Sequence, residues 1–165
     1  MRPTPDIEQA MKLHADTVWR VCMLYFPQEH DRNDAFQEAF LRYSLADSMT
    51  FNDEEHRKAW LIRVTRNLCL DMLKAASNKH VPTQVDDWMV NAAGASSDPD
   101  EQPESVVREV LEAMYELDDP PRTPVYLALY EGYTASEIAD MLDAPVNTVY
   151  SWVARGRKQL KEALL

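Results

Sequence analysis

Thr134–Leu165, TASEIADMLDAPVNTVYSWVARGRKQLKEALL, decides how the rest of the chain is read. Thr134 followed three residues later by Glu137 is a capping-box signature, in which hydroxyl and carboxylate each serve a backbone N–H that a helix start leaves free. Ile138, Ala139 and Leu142 then recur on one helical face. Asp143-Ala144-Pro145 stops that helix, because proline disfavours α geometry in the residue before it. The same proline suits the first turn of a following helix, where its missing N–H costs nothing. In that second helix Val149, Val153, Gly156 and Leu160 form one stripe, with Trp152 at its edge. At about 100° per residue, Asn147, Tyr150, Ser151, Ala154, Arg155 and Lys158 share the opposite face. Two short helices closing on the small Ala139 make a helix-turn-helix. Its outward face offers amides, hydroxyls and cations, the groups that reach base edges and phosphates in a major groove. A helical hairpin that only packs would explain the apolar stripes equally well, but not the charge. Glu104–Asp143 holds ten acidic and two basic residues, whereas Ala144–Leu165 holds four basic and one acidic. A cationic tip on an acidic segment points to an anionic partner.

Working outward, the 165-residue chain has only 3 glycines, long runs of helical periodicity and hardly any alternating apolar pattern. These features predict an all-α protein, as one domain or as two small helical domains with a linker. The acidic stretch before Glu104, whose second half is rich in Ala, Gly, Ser, Asp and Pro, reads as a flexible linker and divides the chain into 1–82, 83–103 and 104–165. No apolar run approaches the roughly 18 residues of a membrane span, and MRPTPDIEQ lacks the plan of a signal peptide, so a cytoplasmic chain without membrane insertion is expected. Cys22 and Cys69 lie among apolar neighbours and are expected to be buried free thiols.

The first helix is expected from Asp6 to about Phe26, burying Ile7, Met11, Val18, Val21, Cys22 and Tyr25 and ending at Pro27. A second, Asn33–Leu45, puts Phe36, Phe40, Leu41 and Tyr43 in the core and projects Asp34, Gln37 and Glu38. By composition that acidic patch reads as a solvated helix N-terminus suited to the dipole. A loop, Ala46–Asn52, leads to a long helix from about Asp53 to Ala76, with Leu61, Val64, Leu68 and Met72 on one side, widened by Ile62, Cys69 and Leu73. The other side collects His56, Arg63, Arg66, Asn67 and Lys74, with Trp60 at the margin. Six basic residues and one acidic residue lie between His56 and His80, a second cationic stripe. Such a stripe beside an aromatic can hold a single strand, the ring acting as a stacking platform. The simpler reading is a solvated face with Trp60 buried, and for Trp60 itself that reading is preferred. In the acidic linker, Trp88-Met89-Val90 forms an apolar island that could dock on a domain or on a partner. Beyond it come a helix from Glu104 to about Leu117 (Val107, Val110, Leu111, Met114), a break at DDPPRTP, and a short helix over Val125–Tyr130.

The net charge of −11 opposes tight binding to DNA by the chain alone, since phosphate contacts dominate such affinity. Repulsion is screened over roughly 8–10 Å, however, so a local basic face can still meet phosphates, above all if a partner brings the chain to DNA.

Two stretches together resemble one family, the extracytoplasmic-function (ECF) group of the sigma factors of bacterial RNA polymerase. DAFQEAFLRY followed by EEHRKAWLIRVTRNLCLDMLK is similar to the family's second conserved region. PPRTPVYLALYEGYTASEIADMLDAPVNTVYSWVARGRKQLKEAL is similar to its fourth. The order, the spacing and the acidic linker also match, over about 6–80 and 104–165. The resemblance implies a non-catalytic factor whose partners are core RNA polymerase (β′ clamp and β flap), promoter DNA and an anti-sigma factor. It implies no cofactor and no small-molecule substrate. By position it assigns Asp34, Gln37 and Glu38 to polymerase binding. Arg63, Arg66, Asn67 and Lys74, with Trp60 at their margin, fall on the face that reads and melts the −10 element, and Asn147, Thr148, Tyr150, Ser151, Arg155 and Lys158 on the −35 reading face. Tyr150 and Trp152 stand where basic residues are common in the family, Asp143 replaces a frequent turn glycine, and KAASNKH is poorer in arginine than the usual end of the −10 helix. A helix-turn-helix regulator independent of polymerase would leave the first 80 residues without a task. An enzyme lacks support: His14, His30, His56 and His80 show no metal-ligand spacing, and no phosphate-cradling loop or nucleophile motif occurs.

Overall fold

The computed structural model describes residues 1–78, 104–117 and 121–164, with side chains except at 78, 104–108 and 111. The chain divides into two compact units, Met1–Asn91 and Ala92–Leu165. Among the described residues there are seven helices and no strand. None of these helices is long and apolar enough to cross a membrane. Trp88-Met89-Val90 and the whole of the expected linker, 83–103, lie outside the described residues.

The first unit is built from α1 (Thr4–Tyr25), α2 (Glu29–Leu45) and α3 (Glu54–Asn78), each packed against the other two. Its core brings together Val18, Val21, Cys22 and Tyr25 of α1, Ala35, Ala39, Phe40 and Tyr43 of α2, and Leu61, Ile62, Leu68 and Cys69 of α3. Both cysteines are free and buried, and a hydrogen bond to Cys22 together with burial pushes the Cys69 thiol up. A protonated, enclosed thiol is chemically quiet.

Helix starts differ from expectation for local reasons. α2 begins at Glu29 rather than Asn33: Gln28 is extended after Pro27, and Glu29 and Asp31 occupy the first turn, where acids suit the dipole. α3 starts one residue late because Asp53 acts as its cap, its Oδ1 accepting the His56 N–H at 2.8 Å. Met11 (38% exposed) and Leu41 (50%) are not core residues, contrary to the sequence expectation. The buried stripe of α1 runs through Ala10, His14, Thr17 and Val18, so Met11 is turned one position past it. In α2 the small Ala35 and Ala39 face inward beside Phe40, which turns Leu41 outward.

The second unit contains α4 (Glu104–Glu116), α5 (Arg122–Leu129), α6 (Ala135–Leu142) and α7 (Val146–Leu164), and α7 packs against all three others. Val110 is exposed, while Ala113, Met114 and Leu117 supply α4's buried side. The Arg122 side chain bonds the carbonyls of Tyr115 and Leu117, tying the end of α4 to the start of α5.

Gly156 is where α7 meets α5. A Cβ there would overlap Cγ2 of the buried, β-branched Val125 and press on Pro121. Gly156→Ala should therefore destabilise the second unit by about 1–3 kcal/mol through overpacking, despite the roughly 1 kcal/mol that alanine ordinarily adds within a helix. Urea unfolding of the full chain checks this, and an unchanged midpoint would mean that Val125 moves aside at little cost.

Candidate nucleic-acid interface

In the second unit, Thr134 and Glu137 form the expected reciprocal cap. Thr134 Oγ1 accepts from the Glu137 N–H at 3.2 Å, and Glu137 Oε1 accepts from the Thr134 N–H at 3.0 Å. The backbone bond from Thr134 is the main reason the Glu137 carboxyl titrates below its ordinary value. Ile138, Ala139 and Met141 are buried, and Leu142 is half-buried. Asp143 takes the left-handed conformation (φ 54°, ψ 51°) that a frequent turn glycine would supply, and the Ala144 N–H closes onto the Ala139 carbonyl at 3.0 Å. Pro145 stands immediately before α7 rather than within its first turn, its carbonyl accepting the Val149 N–H at 3.1 Å.

Val149 and Gly156 seat α7 on the unit, with Trp152, Val153 and Leu160 half-buried beside them. The opposite side presents Asn147, Tyr150, Ser151, Arg155 and Lys158, all exposed, with Tyr150 at 62%. Thr148 is half-buried at the boundary of that face. Two donors with flexible stems, an amide, a hydroxyl and a projecting phenol on a rigidly seated helix can bond base edges and phosphates.

In the first unit, Arg63, Asn67 and Lys74 project from α3 into solvent, and Arg66 is half-buried beside them. Trp60 is also half-buried, and it combines the two sequence readings. One side packs edge-on against Tyr43 (6.0 Å between centroids) and Phe51 (5.7 Å), while part of its surface stays accessible. Asp34 and Gln37 are exposed on α2 and Glu38 is half-buried. Asp34 lies 3.4 Å from His30 Nε2, and Glu38 lies 3.4 Å from Arg42 Nε.

Arg57 does not belong to the cationic stripe in which its sequence position placed it. Only 8% exposed, it turns inward to bond Glu54, the Tyr43 hydroxyl (3.2 Å) and Asp6 Oδ1 (3.1 Å). The Tyr43 hydroxyl also donates to Asp6 Oδ1 at 2.6 Å, and His14 Nε2 lies 2.8 Å from Glu54 Oε2. Burial alone would lower the Arg57 pKa, but its bonds to Glu54 and Tyr43 outweigh burial and raise it. The Tyr43 bond, then Arg2 and Arg57, hold Asp6 below the usual carboxylate range against the opposing effect of burial. Glu54 is lowered likewise, chiefly by Arg57 and then by His14, again against burial. Sequence periodicity missed this network because its main members lie far apart in the chain; the local hints were Arg2 four residues before Asp6 and Glu54 three residues before Arg57.

A capped helix-turn-helix in one unit and a polar, cationic helix face in the other are surfaces of the kind that meet nucleic acid. Comparison with known families narrows that reading. The family "Sigma-70 region 2" matches residues 10–79, and "Sigma-70, region 4" matches residues 107–160. The two matches together span most of the chain, which belongs to the sigma-70 family. It is 28% identical over 161 residues to the ECF RNA polymerase sigma factor SigE of Mycolicibacterium smegmatis, a match covering 97% of this chain and 62% of that relative. It is 25% identical over 164 residues to SigW of Bacillus subtilis, covering 92% of this chain and 85% of SigW. In fold it is similar to the sigma factor RpoE of Bartonella quintana, solved with the anti-sigma factor NepR (TM-score 0.75, 18% identity, 96% of each chain). It is also similar to CnrH, solved with the cytosolic domain of CnrY (TM-score 0.66, 20% identity, 98% of this chain and 89% of that one).

The lowered carboxyls make stability pH-dependent in one direction. A group whose folded pKa lies below its unfolded value stabilises the fold above the unfolded pKa and loses that contribution as pH falls through the folded one. Asp6 and Glu54 are such groups. The melting temperature of the first unit should hold down to about pH 5 and fall below about pH 4. In Asp6→Asn the acid-side fall should be shallower, and an identical pH profile would show that Asp6 is not among its causes.

Proposed function

We propose that this chain is an alternative sigma factor that joins core RNA polymerase and directs it to a class of promoters. The observation carrying this reading is the pair of sigma-70 region matches, in the order region 2 then region 4, on units that each present a polar helix face to solvent. The functional division runs 1–82, 83–103 and 104–165. The exposed side of α2, with Asp34, Gln37 and Glu38, meets the β′ clamp. The side of α3 bearing Arg63, Arg66, Asn67 and Lys74 reads and opens the −10 element, with the accessible part of Trp60 as a platform for an unpaired base. The second unit docks on the β flap and lays α7 in the major groove at −35, where Asn147, Thr148, Tyr150, Ser151, Arg155 and Lys158 make its contacts. The acidic linker passes through a cationic channel of the polymerase. Nucleotide chemistry belongs to the polymerase, so the chain itself is not an enzyme, and it works in the cytoplasm where that polymerase is.

This assignment accommodates a net charge of −11, because the polymerase supplies most of the cationic surface and the chain contributes two local ones. RpoE and CnrH were each solved with a partner chain, NepR being an anti-sigma factor, which supports a similar inhibitory partner for this chain.

Run-off transcription with core polymerase and a promoter library tests the reading directly. Arg155→Ala with Lys158→Ala should cut −35-dependent transcription by about tenfold or more, at about 1–3 kcal/mol per lost contact, without changing polymerase capture. Unchanged transcription would remove α7 from the reading face. Asp34→Lys with Glu38→Lys should weaken polymerase capture by about tenfold or more. An unaltered pull-down would leave that patch as a solvated helix start. Tight, specific duplex binding by the pure chain at physiological salt would instead indicate a regulator that works without polymerase.

A further inference from the structure

A helix ends with backbone carbonyls that have no partner within it, and an irregular loop adds more. Between α2 and α3 these groups are met largely by one side chain from outside the segment. The backbone N–H of Arg2 donates to the Ser44 carbonyl at 2.8 Å, and its Nε donates to the Tyr43 carbonyl at 3.0 Å. Its Nη2 donates to the Ala46 and Met49 carbonyls, both at 2.7 Å, and its Nη1 to Asp6 Oδ2 at 3.1 Å. The guanidinium carbon lies 4.5 Å from the Tyr43 ring centroid and 5.1 Å from that of Phe51. Despite its charge, Arg2 is only 8% exposed.

Three bonds from one planar fork hold the last turn of α2 and the loop at a fixed separation, and a fourth ties the fork to Asp6 of α1. Lysine could not do this, because its ammonium is a single point with no fork to span separated carbonyls. The arrangement continues from Arg2 onto Phe51, and from Phe51 onto His56 (5.2 Å between centroids) and Trp60 (5.7 Å). The ring that the proposed function sets against the −10 strand therefore leans on a loop whose shape Arg2 determines.

We propose that Arg2 is a positioning residue for −10 discrimination: without touching DNA, it fixes the α2–α3 loop and, through Phe51, the seat of Trp60. The role in discrimination rests on the sigma-factor reading; the clamp on the loop does not.

Two measurements separate them. In the full chain free in solution, amide hydrogen exchange of residues 46–52 should be about tenfold faster in Arg2→Lys than in wild type, the effect of losing about one charge-assisted hydrogen bond, with α6 and α7 unchanged. Equal loop exchange overturns the clamp. In the holoenzyme, transcription is measured from a promoter selected with wild-type protein and from the same promoter with one −10 base exchanged. Arg2→Ala should lower the ratio of the two by about tenfold while polymerase capture stays within about twofold, and Arg2→Lys should recover part of the ratio. If Arg2→Ala does not fold, Arg2→Lys carries the comparison. A fall in both transcripts at a constant ratio overturns the positioning role, since simple destabilisation acts on both promoters alike. If wild type fails to program the polymerase while Arg2→Lys still loosens the loop, the sigma-factor reading falls and the clamp stands.

Discussion

Arg2 and Arg57 are almost cut off from water, and each is tolerable there because Asp6 and the Tyr43 ring stand between them. Withdrawing an ion from water costs several kcal/mol unless its donors are matched, so such a group accepts few alternative arrangements. Asp6 lies on α1, Tyr43 on α2 and Arg57 on α3, so satisfying the two cations sets all three helices in register at one end of the unit. The apolar core holds the same helices together, but greasy contacts alone would tolerate sliding. The ionic cluster sits at the end where the α2–α3 loop emerges, so the stiffness it imposes passes directly to the surface bearing Trp60 and, one turn further along α3, Arg63.

The second unit achieves rigidity by other means. α6 has only eight residues, too short to be stable alone, and depends on its reciprocal cap, the left-handed Asp143 and the burial of Ile138 against the unit. α7 is longer and projects a polar face, held in place from beneath by Val149 and by the close approach at Gly156. A reading helix must be fixed in angle to make bidentate contacts, and a missing Cβ is the cheapest way to bring its axis close to α5.

An acidic protein that meets DNA must separate its charges. Here the linker carries five acidic residues and no basic one and α4 four acidic and one basic, while α7 and the outer side of α3 carry their cations outward. Neither cationic face is large, and α3 loses Arg57 from its face to the interior. Weak faces of this kind suit a factor whose affinity for DNA depends on an assembly. On the proposed function, a promoter would be engaged only when both faces are presented together, which would limit unproductive binding elsewhere.

Much of this was determined by the sequence itself. The helical periodicity, the Thr134–Glu137 cap, the stop at Asp143-Ala144-Pro145, the outward residues of α7 and the two buried thiols all follow from local spacing, because caps, turns and amphipathic faces depend on residues a few positions apart. Only the tertiary structure decided the fate of the charges. Arg2, Arg32 and Arg57 look like surface cations in a linear reading and are buried, His14 lies in the buried stripe of α1, and Met11 of α1 and Leu41 of α2 are exposed. For Arg2 and Arg57 the physical reason is that partners distant in the chain satisfy the buried charge. Arg2 and Tyr43 are 41 residues apart and Asp6 and Arg57 are 51 apart, so no pattern read along the chain could have joined them.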